Sequence, residues 1–327
     1  MSAPRIRLVL FVLALVLLAG LAAAPQVSAQ FPGRPGRIAF LASFHGQNRD
    51  DIYSIRTDGT GLQRLTMAPT ARKSGPSWSP AGTLIAFHVV SLDGTWVYVM
   101  NPDGTGRMRI TEGSNPTWGP DGDLLFESPV SCRQGARLAT ATLAGNVDDL
   151  PICGTQPAWS PDGGTIAFTR GRDPIDGGGF ANRDIWIAAL DGSDLRRVAR
   201  SAGTEDAPRA LLDPSWSPDG RLLAFEDVRS QPGCSAPISF VRYVNPATGA
   251  KGKGPEQHLG FDWSPAGGAF VTASIGSKDP CAFEPISSTL AITPQDGGAA
   301  TTVLSIPFDE EAPNLMGEPS WQPRRRT

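Results

Sequence analysis

The side chains best equipped for acid–base, nucleophilic or metal chemistry are few: three His and four Cys in 327 residues. His45, His88 and His258 are far apart, and none stands in an H-E-x-x-H arrangement that would set two imidazoles on one metal. Cys132, Cys153, Cys234 and Cys281 lack the C-x-x-C spacing of a zinc site. No nucleophile elbow, phosphate loop or dinucleotide fingerprint occurs beyond the N-terminal apolar stretch. Asp173 and Asp176, followed by Gly177-Gly178-Gly179, could surround a cation, but their oxygens lack the alternating spacing of a calcium loop. Glu205-Asp206 and Asp309-Glu310-Glu311 read as solvated surface acids. The expectation is therefore no catalytic residue, no metal and no cofactor. What remains is binding, with Asp173, Asp176, Arg183, Glu205 and Asp206 as the loop candidates.

A repeat positions these residues. Pro76-Ser77-Trp78-Ser79-Pro80-Ala81-Gly82 leads into Leu84-Ile85-Ala86-Phe87, and Pro116-Thr117-Trp118-Gly119-Pro120-Asp121-Gly122 into Leu124-Leu125-Phe126. Further copies read PAWSPDGGTIAF from Pro157, PSWSPDGRLLAF from Pro214 and FDWSPAGGAFV from Phe261. Their Trp residues fall at 78, 118, 159, 216 and 263. A sixth copy is divided: Pro319-Ser320-Trp321-Gln322-Pro323 stands near one end and Gly36-Arg37-Ile38-Ala39-Phe40 near the other. Joined, the halves complete one motif, which describes a closed ring rather than a capped solenoid. The fold class expected is all-β: a six-bladed propeller of four-stranded antiparallel blades, closed by the strand around Trp321 pairing with that around Ile38.

Each part of the motif has a physical task. Pro suits an innermost strand whose free edge faces the channel, Trp wedges between blades, and Pro-Asp-Gly makes the tight turn. Ala81 and Ala266 replace the turn Asp and should loosen two turns. Ile-Ala-Phe forms a strand buried on both faces. Asp51–Ile55, Trp96–Met100 and Asp184–Ala188 read as third strands, and Gln63–Thr66 and Met108–Thr111 as fourth strands, joined through Asp-Gly hairpins.

The repeated P-x-W-S-P-D-G-x-x-I-A-F, with I-Y and D-G elements between copies, resembles the TolB-like, WD-like propeller repeat of exported bacterial proteins, over about residues 34 to 323. The resemblance implies a scaffold of strands with function on the loops and channel mouth. The sequence shows no counterpart of TolB's N-terminal α/β domain, so partnership with the Pal lipoprotein is not carried over.

Arg5 and Arg7 precede an apolar stretch from Leu8 to Ala24, then Pro25 and the small-x-small Val27-Ser28-Ala29. Residues 1–29 read as a signal peptide, 30–323 as the propeller and 324–327 as a basic tail. The location expected is periplasmic or extracellular, with no stable membrane insertion after cleavage. Four Cys suit that oxidising setting; blade positions pair Cys132 with Cys153 and Cys234 with Cys281. Long repeat intervals place extra loop length at 171–182, 201–213, 277–284 and 307–317, all on one face of the fourth, fifth and sixth blades. A formal net charge of −3 gives no reason to expect nucleic acid. The reading is an exported, monomeric, non-catalytic binding or scaffold propeller that recognises a protein, peptide or cell-envelope glycan through the elaborated face. The alternative is a propeller enzyme, a polysaccharide lyase or hydrolase, with His45 and His88 the first candidates at the channel mouth.

Overall fold

The computed structural model describes residues 36–44, 50–67, 72–171, 182–203, 208–230, 237–256, 260–277, 285–307 and 315–323. Within them every Pro-x-Trp segment forms an inner strand and every Ile-Ala-Phe segment the strand beside it. The second blade shows the plan, with Arg72–Trp78, Ile85–Ser91, Gly94–Met100 and Met108–Glu112 paired in that order. Antiparallel pairing resolves the described residues into six such four-stranded units. The first is composite: Leu315–Trp321 is its inner strand and Arg37–Ser43 its second, with Trp321 opposite Ile38.

Apolar burial closes the circle. Six buried clusters lie between consecutive blades, and one of them joins Val271, Ala273 and Leu290 of the sixth blade to Ile38, Phe40 and Trp321 of the first. The Phe of the Ile-Ala-Phe strand anchors each blade: Phe40, Phe87, Phe126, Phe168 and Phe270 are all 0% exposed, each contributing about 2–3 kcal/mol by leaving water. The Trp wedges are less uniform. Trp78, Trp118, Trp263 and Trp321 are buried, whereas Trp159 and Trp216 are half-buried.

Departures from the repeat have local causes. Gly119 stands where four other copies have Ser, and a Cβ there would lie 2.6 Å from the Trp159 ring, so the missing side chain makes room for the next wedge. Ala81 and Ala266 do not lengthen their turns: Gly82 N–H donates to the Ser79 carbonyl and Gly267 N–H to the Ser264 carbonyl, each at 2.8 Å. What those two lack is the turn carboxylate, whose Oδ1 accepts from Ser160 Oγ at 2.6 Å and Gly164 N–H at 3.0 Å at Asp162, and from Ser217 Oγ at 2.6 Å and Arg221 N–H at 3.1 Å at Asp219. The fourth strand of the first blade is just Gln63–Arg64, because the following residues turn inward to bond Asp51 and the Ile52 carbonyl. Between the third and fourth blades one continuous strand, Val147–Trp159, serves both: its start pairs with Gly135–Ala141 and its end with Ile166–Gly171.

The structure joins Cys132 to Cys153, Cα atoms 5.8 Å apart, tying a second-to-third-strand hairpin to the strand that enters the fourth blade. Cys234 and Cys281 lie outside the described residues.

Candidate functional site

One backbone feature recurs at the channel mouth. The residue three before each repeat Trp has positive φ: Gly75 (62°), Asn115 (49°), Gln156 (52°), Asp213 (49°), Gly260 (127°) and Glu318 (45°). In the first five blades the strand register slips at this point, which is a β-bulge. Gly takes such a conformation freely and Asn or Asp at modest cost, but Gln and Glu do so only when something holds them. Here the neighbouring blades hold them. Asp213 N–H donates to Gln156 Oε1 at 3.4 Å, Gly75 N–H to Glu318 Oε2, Gln156 N–H to Glu127 Oε1 at 2.7 Å, and Asn115 N–H to His88 Nδ1 at 3.2 Å. Each bulged amide in the second to fifth blades is thus satisfied by a side chain of the blade before it.

Of these six, Gly75, Asn115, Gln156 and Asp213 line a chamber of about 200 Å³ at the mouth, with Ser77, Thr117, Ser215, Asp262 and Ser320 beneath them. The latter five also line a second chamber of about 130 Å³, whose wall includes all six repeat Trp residues. No Lys, Arg or His lines either chamber among the described residues. Asp213 is exposed to the mouth, yet walled by protein and close to Glu226, Glu318 and Glu127; that enclosure first, and then the three carboxylates, push its own carboxyl well above the ordinary range.

Asp262 is the one charged residue among the channel-lining positions just before each Trp, where other copies carry Ser, Thr or Ala. It accepts from Trp263 N–H at 2.8 Å, Trp321 N–H at 2.9 Å and Ser215 Oγ at 3.5 Å, and so links the inner strands of the fifth, sixth and first blades. Burial raises it to about 6 despite these bonds. A folded value above the unfolded one of about 3.8 means the folded chain holds more protons between the two. The favourable contribution is complete below about pH 4 and is lost as pH rises through 6. Relative to Asp262→Ser, the wild-type chain is expected to lose about 3 kcal/mol of unfolding free energy between pH 4 and pH 7, measured by urea denaturation. Equal pH dependence in the two proteins would contradict this.

Of the residues singled out from sequence, Arg183 opens the third strand of the fourth blade, and its Nη1 donates to Thr155 Oγ1 at 3.4 Å, next to Gln156 of the mouth. Asp173, Asp176, Glu205, Asp206, His45 and His258 lie outside the described residues. His88 is buried, its value lowered to about 4 by that burial, and its Nδ1 serves as the acceptor for Asn115. Among the described residues no three His, Cys, Asp or Glu side chains are grouped to hold a metal. The mouth ring itself escaped sequence reading, although aligning the copies gives a column of Gly, Asn, Gln, Asp, Gly and Glu three before the Trp, rich in the types that tolerate positive φ.

No protein-family model matches the chain. It is 37% identical over 105 residues to the Tol-Pal system protein TolB of Gluconobacter oxydans, covering 27% of this chain and 22% of that one. An uncharacterised protein of Agrobacterium fabrum is 30% identical over 139 residues, covering 37% of this chain and 47% of that one. The chain thus spans less than half the length of these relatives. Among solved structures, TolB from Acinetobacter baumannii superposes with a TM-score of 0.67 at 20% identity, covering 99% of this chain and 74% of that one. A protein described as putative TolB from Agrobacterium tumefaciens gives 0.59 at 17% identity, covering 90% of this chain and 100% of that one. The local sequence likeness to TolB proteins and the likeness in fold to solved TolB structures agree on a TolB-like β-propeller.

Proposed function

We propose that the chain is an exported, non-catalytic binding module that recognises a protein partner of the bacterial envelope on the face bearing the channel mouth. The observation that carries this reading is the mouth ring: six positive-φ positions, five of them at a bulge, carry residues of four chemical kinds, Gly, amide, Asp and Glu, and Gly75, Asn115, Gln156 and Asp213 among them line one opening. A constant backbone with varied side chains suits recognition. Of the four polar ring residues, Gln156 and Glu318 accept backbone amides of the next blade and Asn115 donates its side-chain amide to Glu127, which leaves Asp213 as the exposed carboxylate to which no described donor bonds. A partner presenting a basic or N–H-rich group there would relieve the repulsion from Glu226, Glu318 and Glu127. The TolB relatives are named for the Tol-Pal system, which supports a protein as the class of partner. The N-terminal basic and apolar stretch and the Cys132–Cys153 bond support export.

Asp213→Asn separates binding from folding. Asn keeps the positive φ and removes a carboxyl that its surroundings disfavour, so stability at pH 7 is expected to hold or rise. Capture of envelope protein by the immobilised variant is expected to fall at least tenfold. Undiminished capture at unchanged stability would sink the mouth as the recognition surface.

A further inference from the structure

Three guanidiniums gather on one carboxylate on the side of the fifth blade that faces the fourth. Arg209 begins the inner strand Arg209–Trp216, Asp227 and Arg229 lie two apart on Leu223–Arg229, and Phe240 and Arg242 lie two apart on Ile238–Val244. The register sets Arg209 opposite Arg229 and Asp227 opposite Phe240, so these side chains share one face of the sheet. Leu211 and Phe225, on the same face, enter the apolar cluster with Ile185 and Ile187 of the fourth blade.

Asp227 is fully buried, and its oxygens are taken up. Arg209 donates through Nε to Oδ1 at 2.5 Å and through Nη2 to Oδ2 at 2.7 Å, while Arg229 donates to Oδ2 through Nε at 3.1 Å and Nη2 at 2.5 Å. Burial opposes the charge on Asp227, but the bonds from Arg229 and Arg209 outweigh it and hold the carboxyl below its ordinary range. Arg242 is left outside this fork: its Nε stands 3.9 Å from Asp227 Oδ2 and its Nη1 donates to the Val241 carbonyl at 2.9 Å. The guanidiniums of Arg229 and Arg242 lie 4.9 and 4.7 Å from the centre of the Phe240 ring. Glu256, opposite Phe240 on the fourth strand, is the other acid acting on Arg229 and Arg242.

Among the described residues the charges do not cancel, since three cations face two anions. Nor do the hydrogen bonds: each guanidinium offers five donors in a planar fork, and only five of the set are engaged by Asp227 and Val241. Burial lowers Arg242 from the ordinary guanidinium value, and Arg229 and Arg209 lower it further against the pull of Asp227 and Glu256. Arg242 nonetheless stays charged, and its side chain is 15% exposed. A half-buried fork with surplus donors and an aromatic floor matches the planar oxygens of a phosphate or carboxylate.

We propose that Arg242, with the outward N–H groups of Arg209 and Arg229 and the ring of Phe240, forms a binding site for an oxyanion, a phosphate or carboxylate group on a ligand of this propeller. None of these Arg residues lines the mouth chamber, and the proposal does not depend on what the mouth recognises. Two titrations of the intact chain test it, one with inorganic phosphate and one with succinate, each at constant ionic strength against chloride. The readouts are the Arg Nε–H resonances and the thermal midpoint. Saturable shifts confined to the Arg242, Arg229 and Arg209 signals are expected with at least one anion; the more effective one tells a phosphorylated ligand from a carboxylate one. Arg242→Gln leaves both ion pairs to Asp227 in place and is expected to weaken that anion at least tenfold, whereas Arg196→Gln leaves binding unchanged. If Arg242→Gln does not fold, Arg242→Lys, which keeps the charge and loses the fork, should still weaken it severalfold. Responses no larger than with chloride, or full affinity in the Arg242 variant that folds, would overturn the site. Asp213→Asn should leave the anion response intact, so failure of the mouth reading and failure of this one are distinguishable.

Discussion

Replacing Asp51 with Ala is expected to lower the unfolding free energy by about 3–5 kcal/mol, because it removes a buried carboxylate that pairs with the buried Lys73 and with Arg64. Asp51 opens the third strand of the first blade with its side chain only 3% exposed. Its Oδ1 accepts from Lys73 Nζ at 2.6 Å and Thr66 Oγ1 at 2.7 Å, and its Oδ2 from Arg64 Nε at 3.0 Å. Burial raises the carboxyl, but the bonds from Lys73, Thr66 and Arg64 outweigh it and leave the group below its ordinary range. Lys73, on the inner strand of the second blade, has a side chain just 1% exposed. The one carboxylate therefore ties the outer strand of one blade to the inner strand of the next. Asp184 occupies the same place in the fourth blade, accepting from Ser201 N–H at 2.8 Å and Arg197 Nη1 at 3.1 Å. Arg197 is 37% exposed, so water can take over its charge, and Asp184→Ala should cost less than Asp51→Ala. Urea denaturation of both variants decides the matter; equal losses, or a loss under about 1 kcal/mol at Asp51, would refute the argument from burial.

Trp321→Ala is expected to be comparably damaging, about 3–5 kcal/mol. The indole is 5% exposed in the cluster joining the sixth blade to the first, and its backbone both pairs with Ile38 and donates to Asp262. The cavity would open at the seam where the ring meets itself. Trp216 is the internal comparison, since it has the same place in the repeat but is half-buried. Its truncation should cost clearly less, because part of that ring already faces water and fewer contacts are lost. If the two truncations cost the same, wedge burial does not set the stability of the joints.

The architecture was legible because it rests on a few strong local signals repeated at matching positions. The Pro-x-Trp and Ile-Ala-Phe segments demand an exposed edge, a wedge and a buried strand wherever they occur, and the structure places all of them so. The divided motif at Trp321 and Ile38 told which strands must meet. The pairing of Cys132 with Cys153 followed from both lying in one blade. The mouth was harder to read. A bulge leaves no hydrophobic pattern, and the residues that satisfy it, such as Glu127 and His88, come from the adjacent blade some 27 to 29 positions away. His88 looked like a chemical group in isolation, and only its burial and its bond to Asn115 show it as a staple. Arg242 was equally silent: an Arg in an outer strand reads as solvated until the register sets it beside Arg229, Asp227 and Phe240.

The claim beneath all the others is that the two ends of the propeller segment lock into one blade, so that the mouth is a closed ring. Amide hydrogen exchange at Gln322 tests it most directly, for its N–H donates to the Arg37 carbonyl at 2.8 Å while its own carbonyl accepts from Gly36 N–H at 3.0 Å. A closed ring requires the Gln322 amide to exchange through the same global opening as the Phe168 amide inside the fourth blade. Exchange at Gln322 as fast as in a free peptide, while Phe168 remains protected, would contradict it.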